Sequence, residues 1–412
     1  MNRTIKQCIE FPLVSILLLS LSCSNQGSRQ ILPFMPAGPE SAPDPAKNGP
    51  FPVGVTTVML QDDTRTDKDT GRPRPIPLEI FYPAVQSVRN GPFWTYELAE
   101  EAKDQDLGDK YDKIVEAGLP GMATRAVRDA ELDKVHGPYP VIIFSHGSYG
   151  IRWQSVSLVV HLASHGYIVA APDHEGNTVW DLIRDGYSDS STMQSAPYRL
   201  DDVKFVIDWL IDQNEKKGSF LEGTVDGRDI GVSGHSFGGF TAVTMPCVDN
   251  RVKAALGESP AIKASTIWGC DLAKYPVPLM AMGGTMDQTL NYKDQYCSYR
   301  EVEAPAKYLC QIDKAGHYTF SDICSLDLLR LSKELDFGPA EEALNDGCSP
   351  ENIDRHDATV IIDHYATAFF NWKLRNSPGS KDYLSEQDDP RFRPVTFFDG
   401  DPPDWPDGGC VE

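Results

Sequence analysis

Short, predominantly apolar segments alternate with helical patterns along this chain, and this alternation constrains its fold more than any other feature. Val141–Phe144 and Ile230–Ser233 have the length and composition of buried strands. Between them, apolar residues recur at helical spacing at Val203, Val206, Ile207, Leu210 and Ile211. Short apolar strands that alternate with helices form parallel sheets covered on both faces. The sequence therefore predicts an α/β fold with a mostly parallel central sheet flanked by helices.

The same pattern extends in both directions. Further strand candidates are Val53–Met59, Leu78–Tyr82, Tyr167–Ala171, Val252–Leu256, Leu279–Met282 and Tyr308–Ile312. Further helix candidates are Val156–Ala163 and a stripe made by Ile361, Tyr365, Ala368, Phe369 and Trp372. We expect one domain over residues 53–412, with a charged, helical insertion near 91–135 and an acidic C-terminal tail.

The chain carries a large excess of negative charge. Its 412 residues include 38 Lys and Arg against 60 Asp and Glu, a formal net charge of −22. Such a surface repels phosphate backbones, so a nucleic-acid partner is not expected. The acidic tail at 399–407 suggests calcium, but its prolines at 402, 403 and 406 prevent an EF-type loop. No Cys/His cluster has zinc spacing, and we expect no metal.

The N-terminus has the features of an export signal. Arg3 and Lys6 precede an apolar run over 11–21 that is short for a membrane span and fits a secretory signal peptide over 1–22. Cys23 follows as at a bacterial lipoprotein cleavage site, which leaves lipidation at Cys23 and ordinary cleavage nearby as alternatives.

Either alternative takes the protein out of the cytoplasm, to the cell envelope as a lipoprotein or to a secreted or periplasmic state. A lipid anchor at the N-terminus would be its one membrane contact. Residues 23–52 are rich in Ser, Pro, Gly and Asn and are expected to form a flexible tether.

Seven cysteines follow the predicted signal and tether: Cys247, Cys270, Cys297, Cys310, Cys324, Cys348 and Cys410. Outside the cytoplasm they can oxidise, so up to three disulfides and one remaining thiol are expected. Their pairing stays open at the level of sequence.

The residues 234–238 read Gly-His-Ser-Phe-Gly, a G-x-S-x-G motif, between an apolar strand and a helix-compatible segment. That context is typical of a nucleophile elbow, a strained turn that exposes a serine at the end of a strand. Glycines at 234 and 238 allow the strand and the helix to approach closely. Ser236 is therefore the candidate nucleophile.

A serine hydroxyl needs a general base, and the base needs an acid to orient it. Of the histidines after Ser236, His317 follows a strand candidate and is the expected base; His356 is expected to be solvated and His364 to be packed in a helix. Asp287 closes a glycine-containing loop after another strand and is the expected acid, with Glu258 as the alternative.

An oxyanion hole requires two N–H donors aimed at the developing negative charge. One is expected from the backbone of Phe237, which follows the nucleophile. The other is expected from Ser148, in the Ser-His-Gly-Ser-Tyr-Gly loop after the Val141 strand. His146 and His235 flank the site and are expected to be structural hydrogen bonders.

Three segments together resemble the platelet-activating-factor acetylhydrolase group: Phe144–Gly147, Leu162–Ala171 and Gly234–Gly239. The similarity covers roughly residues 53–374, and 81–84 resembles the group's second strand. That group belongs to the α/β-hydrolases and grades into dienelactone-hydrolase-like esterases. The resemblance implies the α/β-hydrolase fold and a calcium-independent serine esterase without a cofactor that hydrolyses short or oxidised acyl esters.

Two departures from the family pattern bear on the substrate. Platelet-activating-factor enzymes carry their acid near the position of Glu258, whereas cutinase-like and dienelactone-hydrolase-like relatives carry it where Asp287 stands. The dienelactone hydrolases themselves use Cys where this chain has Ser236.

The expected function is thus an exported serine esterase for short-acyl, acetyl or lipid-like esters. The alternatives are a cutinase-like polyester hydrolase, a phospholipid acyl hydrolase, a serine peptidase, and a non-catalytic surface binding protein.

Overall fold

A computed structural model describes residues 43–66, 71–335, 345–406 and 409–410. The predicted signal peptide and Cys23 lie outside the described residues, as does most of the predicted tether. None of the helices in the described ranges is long and apolar enough to cross a membrane.

A sheet of ten strands forms the centre of the molecule. Its members are β1 (Val53–Thr66), β2 (Pro73–Pro83), β5 (Ala126–Arg128), β6 (Tyr139–Ser145), β7 (Ile168–Pro172), β8 (Val225–His235), β9 (Val252–Glu258), β10 (Leu279–Gly284), β11 (Lys307–Ile312) and β12 (Val395–Asp399). Their order is β12-β11-β10-β9-β8-β6-β7-β2-β1-β5. The six strands from β11 to β7 are parallel, whereas β12 and β2 join them antiparallel.

Helices cover both faces of this sheet. They are α1 (Leu98–Ala102), α2 (Asp109–Ala117), α3 (Val156–Ser164), α4 (Val179–Asp185), α5 (Asp189–Glu215), α6 (Phe237–Val248), α7 (Tyr292–Arg300), α8 (Leu328–Leu335), α9 (Arg355–Lys373) and α10 (Pro378–Lys381). Along β6, Ile142 and Phe144 pack with α3 and α9, while Val141 and Ile143 pack with α5. Successive side chains of the strand therefore point into two hydrophobic cores, one on each face of the sheet. This arrangement confirms the α/β prediction.

The region 91–135 is less helical than the sequence indicates. It holds the short helices α1 and α2, a two-stranded pair of β3 (Thr95–Tyr96) and β4 (Met122–Ala123), and β5. The strand β5 pairs in parallel with the start of β1. Only three residues long, β5 gives too short a pattern to be recognised in the sequence.

The C-terminal half is cross-linked by three disulfides, Cys247–Cys270, Cys297–Cys410 and Cys324–Cys348, and Cys310 is a buried thiol. This confirms the expectation of three disulfides and one remaining thiol. The acidic tail is held by ion pairs of Asp401 with Lys307 and of Asp404 with Arg300. In the described residues, no group of three or more acidic, His or Cys side chains could hold a metal ion.

Candidate active site

Ser236 occupies a strained turn between β8 and α6. Its backbone angles, φ of 57° and ψ of −118°, lie in a region that residues other than glycine rarely adopt. The turn depends on its glycines, because a Cβ on Gly238 would lie 1.8 Å from the Ser145 carbonyl oxygen, and one on Gly234 would lie 2.5 Å from that of Gly238. The backbone thus presents the Ser236 hydroxyl at the carboxyl end of the sheet.

A continuous hydrogen-bond chain leads away from this hydroxyl. His317 Nε2 lies 2.8 Å from Ser236 Oγ, and His317 Nδ1 lies 3.0 Å from Asp287 Oδ2. The three residues follow β8, β11 and β10, so they meet because parallel strands end at one edge of the sheet. His317 and Asp287 are buried, whereas Ser236 is half-buried. The structure therefore brings together the three residues that the sequence singles out.

Hydrogen bonds hold the Asp287 carboxylate in place. Leu290 N–H donates to Oδ1 at 2.8 Å, while the Gln295 amide donates to Oδ2 at 3.0 Å and Ser259 Oγ donates to the same oxygen. Burial acts to raise the pKa of Asp287, but the hydrogen bonds and the neighbouring His317 outweigh it, so its pKa lies below the usual value. Asp287 is thus a stable anion beside His317.

Glu258, the alternative acid, is fully buried at the end of β9. Among the described residues its carboxyl oxygens have no hydrogen-bond partner. Burial and the nearby Asp322 raise its pKa to about 8. The structure does not bring this carboxyl group into hydrogen-bond contact with His317.

Two other histidines singled out in the sequence, His235 and His364, have structural contacts. His235 bridges the Gln154 side chain at 2.8 Å and the His317 carbonyl oxygen at 2.9 Å, and burial lowers its pKa to about 3. His364 is buried in α9 and contacts the Tyr383 carbonyl oxygen. His356 is exposed.

Asp346 ties the loop of the base to the loop of the acid. Its Oδ1 accepts the His317 backbone N–H at 2.9 Å, and its Oδ2 accepts those of Gln288 and Thr289 at 2.9 and 2.8 Å. The Cys324–Cys348 disulfide anchors the same segment two residues further on.

Phe237, one of the two expected N–H donors, directly follows Ser236. The other donor, Ser148, follows Gly147, where an added Cβ would lie 3.5 Å from Ser236 Cβ. The N–H of Phe237 opens α6, where the first N–H groups of a helix have no intrahelical acceptor. Within the described part of the chain, neither this group nor the Ser148 N–H donates to a protein acceptor. The preceding N–H, that of Gly147, is bound instead by Gln154 Oε1 at 3.0 Å.

A second Ser–His–Asp chain of hydrogen bonds lies deeper in the molecule. Ser145 Oγ is 2.9 Å from His174 Nε2, and His174 Nδ1 is 3.0 Å from Asp202 Oδ2. All three side chains are fully buried, and Asp202 also pairs with Arg74 and Arg65.

Several residues around the site have no signature in the sequence. Tertiary packing alone brings four polar residues into contact with the site: Gln295, Ser259, Gln154 and Asp346. The proximity of Ser259 to Glu258 and the position of Gln295 in a helix after Asp287 are the only local hints.

Comparison with known proteins gives consistent matches. The family model described as platelet-activating factor acetylhydrolase, isoform II, matches residues 39–185, and that for chlorophyllase matches residues 131–271. The platelet-activating factor acetylhydrolase of Cavia porcellus is 23% identical over 68% of this chain and 68% of its own length. That of Bos taurus is 27% identical over 52% of this chain and 54% of its own length.

One solved structure extends the comparison to the fold. A ferulic acid esterase from Streptomyces cinnamoneus superimposes with a TM-score of 0.57 and 24% identity, over 84% of this chain and 96% of that chain. At this identity the likeness bears on the fold alone.

Proposed function

We propose that this chain, which has an α/β-hydrolase fold and is similar to platelet-activating-factor acetylhydrolases, is an exported serine esterase acting through Ser236, His317 and Asp287. The observation that carries the proposal is the hydrogen-bond chain of 2.8 and 3.0 Å from Ser236 Oγ through His317 to Asp287. That order of contacts is what nucleophilic acyl transfer requires.

The reaction proceeds in two halves. His317 Nε2 accepts the Ser236 proton as Oγ attacks the ester carbonyl, and the Phe237 and Ser148 N–H groups stabilise the oxyanion. His317 then protonates the leaving alcohol, and the acyl group remains on Ser236. In the second half His317 activates a water molecule, which releases the carboxylic acid. Asp287 holds the imidazole in the tautomer that has its acceptor nitrogen toward Ser236.

The substrate class is a neutral or cationic ester with a short acyl group. The relatives named as acetylhydrolases support a small acyl group on a lipid-like alcohol. A net charge of −22 disfavours anionic esters. Phospholipids and polyesters are the alternative substrates of the same site.

Export is supported by the three disulfides, which persist in oxidising compartments. We assign 1–22 as the signal peptide and Cys23 as the lipidated residue. The tether is limited to 23–44, because the end of the range 23–52 expected from the sequence is packed on the domain: Phe51 is buried and the Gly49 N–H donates to Ser164 Oγ at 2.8 Å. Incorporation of labelled palmitate that is lost in Cys23→Ala tests lipidation; equal incorporation in the variant would contradict it.

A panel of p-nitrophenyl esters from acetate to palmitate tests the activity, with phospholipid vesicles, polyester films and a peptide as competing substrates. We expect the highest kcat/KM for the shortest acyl chains and covalent labelling by a fluorophosphonate. Ser236→Ala should abolish both. Ser233→Ala is the matched control, because Ser233 lies in β8, three residues before Ser236, and its hydroxyl has no partner among the described residues. Full activity in Ser236→Ala would refute the proposal.

A further inference from the structure

Arg199 is a fully buried cation on α5, close to the loop that follows β6. Among the described residues, Arg199 forms no ion pair within 4.0 Å. The nearby Asp202 is paired with Arg74 and Arg65 instead. Burial lowers the pKa of Arg199 to about 9, so the group is still a cation at neutral pH. Burying a charge without a direct counter-ion is unfavourable, so the contacts that this group makes with the protein deserve a functional explanation.

The guanidinium group donates to the backbone of the loop that carries Ser148. Its Nη1 lies 2.6 Å from the His146 carbonyl oxygen, and its Nη2 lies 2.9 Å from that of Gly147. A trans peptide is planar, with C=O and N–H pointing in opposite directions. Arg199 holds the Gly147 oxygen together with His146 Nδ1 at 2.7 Å and the Gly150 N–H at 3.1 Å. With the oxygen on the Arg199 side, the Ser148 N–H is turned away from Arg199.

The same guanidinium group also contacts the residue that supplies the other donor. Its central carbon lies 4.7 Å from the centre of the Phe237 ring, a cation–π arrangement. Asn177 Oδ1 accepts from Nη2 at 2.6 Å and fixes the orientation of the group, while Asn177 Nδ2 reaches Ser148 Oγ at 3.2 Å. Arg199 thus joins the two halves of the proposed oxyanion hole, which are far apart in the chain.

We propose that Arg199 is a positioning residue for the oxyanion hole: it fixes the Gly147–Ser148 peptide and the start of α6 so that both N–H groups converge before the substrate binds. Donors that are oriented in advance stabilise the transition state without reorganisation, which is why fixed dipoles contribute so much to catalysis. The inference rests on the proposed function of Ser236.

Arg199→Lys tests the proposal in the full-length folded protein. Lysine keeps the charge but has no planar fork, so it cannot hold two carbonyl oxygens and stack on a ring together. We expect kcat to fall about 10- to 100-fold, since loss of one oxyanion donor lowers kcat by about 10²- to 10³-fold. KM should change less than about threefold, because the ester carbonyl gains charge only in the transition state.

The matched control is Arg375→Lys. Arg375 is also buried, lies 3.9 Å from the Tyr167 ring centre, and donates to the Gly166 carbonyl oxygen and to Asn371 Oδ1. Its contacts are of the same kinds as those of Arg199. They lie before the start of β7, however, whereas those of Arg199 lie in the loop that follows β6. We expect a similar loss of thermal stability in both variants and near wild-type kcat in Arg375→Lys alone.

Inhibition by an alkyl trifluoromethyl ketone separates positioning from general damage. Its adduct with serine places an oxyanion in the hole, so its Ki should rise in Arg199→Lys in proportion to the loss of kcat/KM. Equal kcat values in the two lysine variants, or an unchanged Ki, would overturn the proposal. Wild-type protein that neither cleaves esters nor reacts with a fluorophosphonate would instead refute the proposed function.

Asn177→Ala provides the second variant in case Arg199→Lys does not fold. It removes one anchor of the guanidinium group and leaves Arg199 in place, so we expect a smaller loss of kcat, about three- to tenfold, again with a parallel rise of Ki. A wild-type kcat and Ki in folded Asn177→Ala, together with an Arg199→Lys that does not fold, would reject the positioning role.

Discussion

The described part of the molecule contains two Ser–His–Asp hydrogen-bond chains, and their hydrogen-bond distances are nearly identical. Ser236–His317–Asp287 has contacts of 2.8 and 3.0 Å, and Ser145–His174–Asp202 has contacts of 2.9 and 3.0 Å. Distances between the three side chains therefore do not distinguish a catalytic chain from a structural one. The difference lies in the backbone and in access to solvent.

Ser236 lies on a strained turn at the carboxyl end of the sheet, and among the described residues the N–H groups of Phe237 and Ser148 have no protein acceptor. Ser145 is the last residue of β6 and is fully buried. Burial lowers the pKa of His174 to about 4, so its ring is neutral at physiological pH. No ester could reach Ser145, and this chain instead supports the loop that carries Ser148.

The largest expected effect distinguishes the two aspartates. Asp287→Asn should lower kcat by about 10⁴-fold with little change in thermal stability, because an amide favours the wrong His317 tautomer. Steady-state kinetics and thermal melting of the same samples measure both quantities. A loss of less than about tenfold would mean that Asp287 does not orient His317.

Asp202→Asn should show the opposite balance. The change takes away the negative charge that faces the buried Arg74 at 2.7 Å, which lowers the free energy of unfolding by about 3–5 kcal/mol. The folded variant should retain more than a tenth of the wild-type kcat. Equal losses of kcat in Asp202→Asn and Asp287→Asn would abolish the distinction between the chains.

The pH dependence of stability gives a further check on Asp202. Burial would raise its pKa, but hydrogen bonds from Arg74 and His174 outweigh burial and hold its pKa well below the usual value. The charged form therefore contributes stability above about pH 4, and this contribution is lost as the pH falls below that value. The stability difference between wild type and Asp202→Asn should shrink from pH 5 to pH 2.5 in denaturant titrations.

Glu258 sharpens the comparison because it is a buried carboxyl group in neither chain. Its pKa is raised to about 8, so the folded protein binds a proton that the unfolded chain releases near pH 4.5. Stability falls as the pH rises between these values. Glu258→Gln should match wild type near pH 5 and exceed it by about 1 kcal/mol or more at pH 8, with kcat unchanged. A stability difference that is independent of pH would contradict this assignment.

Ser145→Ala should have the smallest effect. It removes one hydrogen bond to His174, which lowers the free energy of unfolding by about 1 kcal/mol, and kcat should fall less than about fivefold. Fluorophosphonate labelling should be complete. Loss of labelling would show that Ser145 reacts after all.

The parts of this architecture that depend on local pattern could be predicted from the sequence. The strands that precede Ser236, Asp287 and His317 are short apolar runs, and the ends of parallel strands share one edge of the sheet. Three residues far apart in the chain could therefore be brought together by reasoning from strand ends. The short edge strands β5 and β12 lack such a pattern and were not predicted.

Residues that hold the site in place could not be found in the same way. Arg199 and Asp346 form hydrogen bonds with backbone groups. Every residue has a backbone, so the partner in such a contact cannot be identified from its residue type. The sequence favours Asp287 as the acid but keeps Glu258 as the alternative, since both follow strands. The choice depends on Gln295 and Ser259, which only the packing of α7 and the end of β9 bring to Asp287.

Trapping of the acyl-enzyme tests the central claim most directly. The protein is mixed with p-nitrophenyl acetate, quenched in acid within the first turnover, and digested for peptide mass spectrometry. We predict a burst of p-nitrophenol and an acetyl group on the peptide containing Ser236, with neither in Ser236→Ala. An acetyl group on another residue of the active wild-type protein, or turnover that is unchanged in Ser236→Ala, would contradict the account.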